Sequence, residues 1–99
     1  MVSIAENWTF IVGTVETLQP VHNVDAVDLV VKIDTVAEVK GFRSYLTDAA
    51  GSTLQIRIPR ELVASSGVTP GCTIHTRVRR GRNSALVFAH TREFTVDRR

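Results

Sequence analysis

Residues 44–63, SYLTDAAGSTLQIRIPRELV, and 69–78, TPGCTIHTRV, decide the fold. Asp48-Ala49-Ala50-Gly51 ends in the residue that a type I turn with a G1 bulge needs in the left-handed region, which predicts a three-residue hairpin loop. That loop sets Ser52 opposite Asp48, Leu54 opposite Leu46, Ile56 opposite Ser44 and Ile58 opposite Phe42. One face is then apolar, while Arg43, Tyr45, Gln55 and Arg57 gather on the other, and the apolar content of the first face selects this register. After Ile58 the pattern changes. Pro59 has the fixed φ of a first helical residue, Glu61 suits a positive helix start and Gly67 can end the helix with φ > 0, so one helix of about two turns is expected. Val68-Thr69-Pro70-Gly71 turns into a strand with Cys72, Ile74, Thr76 and Val78 on one face and Thr73, His75, Arg77 and Arg79 on the other.

Period-two alternation extends outward from this core in both directions. WTFIVGTVETL (8–18) is a β-branched, aromatic strand in which Gly13 marks a bulge or sharp coil. Past Gln19-Pro20 a loop runs to about Asp28. Leu29, Val31, Ile33, Ala37 and Val39 then share one face and Lys32, Asp34, Glu38 and Lys40 the other, in a strand expected to continue through a kink at Gly41 into FRSYLT. Beyond a reversal at Gly81-Arg82-Asn83, a fifth strand is expected from Ala85 to about Thr91 or on to Val96. Asp97-Arg98-Arg99 is expected to be a loose end. Strand, long kinked strand, strand, short helix, strand, strand is the order of the OB-fold, an all-β, five-stranded Greek-key barrel with its helix between strands three and four. The 99 residues fit one such domain, with its core at about 8–96.

The stretch quoted first resembles a motif of single-strand-binding OB domains: Asp-x-x-Gly, three alternating apolar residues, a short helix, a Gly turn and further alternating apolar residues. Replication protein A and its archaeal and bacterial relatives are the nearest comparison. The motif covers 45–80 and the architecture about 8–96. The resemblance implies binding of single-stranded DNA or RNA across strands two and three, flanked by the loops joining strands one to two and four to five. A second resemblance competes. IRIPRELVASSGVTPGCTIHTRV (56–78) is similar to the Pro-Arg-Glu-Leu core of AbrB-type swapped-hairpin proteins, which bind duplex DNA, but that leaves the strands before it unexplained.

Composition narrows the function classes. The chain is 43% hydrophobic and 22% charged, as in ordinary globular proteins, and no apolar run approaches a membrane span. The opening MVSIAENWTF has no basic stretch leading into an apolar one, so secretion is not expected and Asn7-Trp8-Thr9 reads as a chance glycosylation sequon. A single cysteine, Cys72, excludes an intramolecular disulfide and fits a reducing, cytoplasmic or nucleoid-associated setting. Net charge is only +2, but residues 1–50 carry three cations against seven carboxylates, net −4, and residues 51–99 nine against three, net +6. This asymmetry points to a polyanionic partner.

Catalysis has no support in the sequence. His22, His75 and His90 are scattered, there is no nucleophile elbow, phosphate loop or metal-ligand spacing, and Cys72 falls on a buried face. No cofactor or metal is expected. His90 is expected to face inward opposite Ile74, Trp8 to plug the barrel, and Phe10, Phe42, Phe88 and Phe94 to fill the core. The expected site is Tyr45 as a base platform between Arg43 and Arg57, with Arg77 beside it and Arg79, Arg80 and Arg82 as a basic finger for phosphates. With aromatics at only 6% and Asp34 and Glu38 facing outward, a protein-assembly module or homo-oligomer is the alternative.

Overall fold

The computed structural model describes residues 8–41, 50–80 and 87–97. Five strands form one closed barrel: β1 (Thr9–Pro20), β2 (Ala26–Glu38), β3 (Thr53–Pro59), β4 (Thr73–Arg80) and β5 (Val87–Asp97), with helix α1 (Arg60–Ser66) between β3 and β4. The order around the ring is β1-β2-β3-β5-β4, all pairs antiparallel except β3 with β5. This is the Greek-key OB-fold arrangement that the order of elements predicts. No described helix is long and apolar enough to cross a membrane.

The core follows the alternation. Ile11, Val15, Leu29, Val31, Ile33, Ile56, Ile58, Ile74, Val78 and Val87 are each no more than 1% exposed, and Leu62 and Val63 of α1 pack onto them. Gly13 is required where it stands. β1 shifts register against β2 between Val12 and Gly13, and a Cβ on Gly13 would lie 2.6 Å from Val31 Cγ1 and 2.7 Å from the Lys32 carbonyl oxygen. The bulge expected there lets β1 coil tightly around the barrel. On β4 the expected faces hold: Cys72, Ile74, Thr76 and Val78 are buried.

Three expectations are corrected. The described partner of β3 is the start of β2, which begins at Ala26: Leu54 faces Val31, Ile56 faces Leu29 and Ile58 faces Val27, while the expected partners 42–48 lie outside the described residues. The Ser52 carbonyl accepts a hydrogen bond from the Ile33 amide, and Gly51 donates to the Ile33 carbonyl, so Ser52 sits against Ile33. Gly51 does adopt φ +84°, while Phe42 and Asp48 lie outside the described residues. The physical reason for pairing with β2 is that 27–33 (VDLVVKI) carries a denser row of branched apolar side chains than the sequence FRSYLTD at 42–48. Pro59 is the N-cap, with extended ψ 144°, and not the first helical residue; Gly67 closes the helix at φ 70° as expected. Asp97 is not loose: it pairs with Thr73, and its carboxylate is 2.7 Å from His75 Nε2.

β5 carries the largest irregularity. Thr76 pairs with Phe94 and Val78 with Ala89, so His90, Thr91, Arg92 and Glu93 stand against Arg77 alone. The bulge reverses the inward parity, from Val87 and Ala89 on one side of it to Phe94 and Val96 on the other. His90 is therefore not opposite Ile74, whose partner is Val96, and Phe88 is only half-buried and faces outward beside Arg79. Phe94 is a core residue as expected, but Phe10 is half-buried on the outer face, because its neighbours Thr9 and Ile11 take the inward positions.

Candidate functional site

Among the described residues β3 and β5 pair at two positions, Ile56 with Val87 and Arg57 with Phe88. Where they diverge, the outer surface opens into a groove of about 500 Å³, walled by Trp8, Arg57, Pro59, Arg79, Phe88 and His90 and reached by Asp25 from the β1–β2 loop. A small ligand or one unit of a polymer is the size such grooves hold.

Strand parity and the bulge build the wall. Trp8 precedes β1 with outward parity, since Thr9, 1% exposed, points in; Trp8 lines the groove and does not plug the barrel. The β5 bulge swings His90 to Trp8, with ring centroids 5.0 Å apart and planes tilted by 52°. The Arg92 amide donates to His90 Nδ1 at 3.1 Å, fixing the ring's orientation. The Arg79 guanidinium lies 6.0 Å from the Trp8 ring centroid and 5.9 Å from that of Phe88. These are cation–π distances. Among the described residues Arg79 has no carboxylate in ion-pair range.

Arg57 is held differently. Its Nε and Nη2 donate to Asp28 Oδ1 at 2.9 Å and Oδ2 at 3.2 Å, and Gln55 Nε2 donates to Asp28 Oδ2 at 2.7 Å. Asp28 is only 6% exposed although it is on the outer face, because Gln55 and Arg57 cover it from β3. The Arg57 hydrogen bonds hold the Asp28 carboxyl below the ordinary carboxylate range; burial opposes this, while Gln55 and the guanidinium charge add to it. The same pair strengthens the proton's hold on Arg57. At the groove's edge Asp25 is neutralised by Arg60, Nε to Oδ1 3.2 Å.

The expected site is thus partly reassembled. Arg57 and Arg79 meet in the groove. Arg77 does not join them, since its Nε is 2.8 Å from Glu93 Oε2 on the other side of the bulge. Arg80 is exposed at the end of β4, and Arg43, Tyr45 and Arg82 lie outside the described residues. Phe88 and His90 are groove residues that a core assignment conceals. The sequence signal was Thr91-Arg92-Glu93, three consecutive polar residues that interrupt the alternation of β5. Among the described residues no group of three or more His, Cys, Asp or Glu could hold a metal ion. Compared with protein-family models and with curated proteins, the sequence matches none.

Proposed function

We propose that this chain is a non-catalytic module that binds single-stranded DNA or RNA, with one base entering the groove beside Trp8 and Phe88. The observation that carries the reading is Arg79 set against both rings at about 6 Å, with no carboxylate in ion-pair range among the described residues. Stacking on an aromatic face is worth about 1–3 kcal/mol per base and tolerates any sequence. A cation at the platform's edge attracts the adjoining phosphate. Since Arg57 and Arg77 are each matched to a carboxylate, the phosphate role falls to Arg79, with Arg80 next to it and Arg82 following in the chain. Strands two and three supply the Arg57 wall and the β1–β2 loop its rim, which is where OB-folds present oligonucleotide sites.

The test is a fluorescence-anisotropy titration of labelled single-stranded DNA, single-stranded RNA and duplex at two salt concentrations. Single strands should bind more tightly than duplex. Arg79→Ser should lower affinity and flatten the slope of log K against log salt by about 0.7, the share of one phosphate contact on a single strand. Absence of single-strand binding would overturn the reading in favour of a protein-assembly role.

A further inference from the structure

Asp28 occupies the side of the Arg57 guanidinium formed by Nε and Nη2. That leaves the end of the fork, the Nη1 and remaining Nη2 N–H groups, without a partner among the described residues, on a side chain that lines the groove. The fork's geometry is fixed: Asp28 is itself pinned by Gln55 and almost fully buried, so Arg57 has little rotational freedom. Its charge is also compensated. A guanidinium that is oriented, neutralised and one strand across from Phe88 is suited to donating to a stacked base and poorly suited to gathering phosphates.

We propose that Arg57, oriented by Asp28, reads the edge of a guanine in the groove. The proposal rests on the single-strand reading above and adds base selectivity to it. Two parallel N–H donors match two adjacent acceptors, and guanine offers them as O6 and N7, the most frequent bidentate partner of arginine. Adenine sets its N6 amino donor beside the single acceptor N7 on that edge, and thymine separates its acceptors by an N–H. Cytosine has adjacent acceptors in O2 and N3, but a purine covers more of the Trp8 and Phe88 rings. Asp28 is here a positioning residue, and Arg57 makes the contact.

The experiment compares short oligothymidylates carrying one central guanine, adenine or cytosine with the all-thymine strand, by anisotropy. The guanine strand should bind about tenfold more tightly, within the range of one bidentate base contact. Arg57→Lys keeps the charge but not the fork, and should bring the guanine strand down to the affinity that the same variant shows for the all-thymine strand. Asp28→Asn should also erase the preference, and by uncovering the Arg57 charge should steepen the salt slope by about 0.7 for every strand. Circular dichroism melts confirm that each variant is folded, and the wild-type comparison of four strands needs no variant. Equal affinities, a cytosine preference, or a guanine preference that survives Arg57→Lys would overturn the proposal while the single-strand reading stands. Failure to bind any strand would overturn both.

Discussion

The outer face of β4 has two ends, built from the same kind of residue and engaged in opposite ways. At one end His75 lies 2.7 Å from the Asp97 carboxylate and Arg77 2.8 Å from that of Glu93, both supplied by β5. At the other, among the described residues, Arg79 meets the rings of Trp8 and Phe88 and no carboxylate. The bulge in β5 separates the two: it delivers Glu93 to Arg77 on one side and His90 to Trp8 on the other. Strand parity puts His75, Arg77 and Arg79 on one face, but among the described residues the neighbouring strand decides which charge meets a carboxylate and which meets rings.

The largest expected effect comes from damaging the frame that both ends share. Gly13 pairs with Ile74 beneath the ion-paired end. Gly13→Val forces a side chain into Val31 and the Lys32 backbone, and should cost about 1–3 kcal/mol or more, read as a drop in the urea midpoint. Next is the groove itself: Trp8→Ala should remove about 1–3 kcal/mol of single-strand affinity with little change in stability, because Thr9 and not Trp8 fills the barrel. If Trp8→Ala chiefly unfolds the protein, the groove wall is a structural element and the contrast between the two ends fails.

A third prediction concerns acid. An unfolded aspartate ionises near about pH 3.9, and the folded Asp28 carboxyl ionises lower. Its stabilising share is therefore complete above that value and is lost as pH falls through the folded one. Urea midpoints measured from neutral pH down to about pH 2 should decline less steeply for Asp28→Asn than for wild type in the range below about pH 4. The smallest effect belongs to the ion-paired end. Arg77 and Glu93 are both more than a third exposed, so Glu93→Gln should cost about 0–1 kcal/mol of stability. It should also leave the affinity change on Arg79→Ser unaltered; a strong dependence would join the two ends into one site.

The sequence disclosed faces more reliably than partners. Leu54, Ile56 and Ile58 turn inward and Gln55 and Arg57 outward, as their alternation requires, yet the strand described opposite them is 26–32, which the hairpin reading did not supply. Period two fixes a side chain's face whatever strand lies alongside, and a glycine's φ can be anticipated without revealing how far the chain travels before the turn. Gly51 and Gly67 were legible for that reason, and Gly13 because a glycine inside a strand marks a bulge. The site was less legible because it depends on a reversal of parity. Counting back from Phe94 buries Phe88 and His90; only the extra residues in β5 turn them out toward Arg79 and Trp8. Asp28, at the end of what resembled a loop, gave no local sign that it would clamp Arg57 across two strands.

Trp8 emission reports whether the Trp8–Arg79–Phe88 groove receives a nucleic-acid base. Trp8 is the chain's single tryptophan, so its fluorescence reports on the groove alone. Titration with a short unlabelled single-stranded oligonucleotide should quench the emission saturably, with the same midpoint as anisotropy and with weakening at higher salt. Binding seen by anisotropy with Trp8 emission unchanged at saturation would place the strand elsewhere on the barrel and contradict the account.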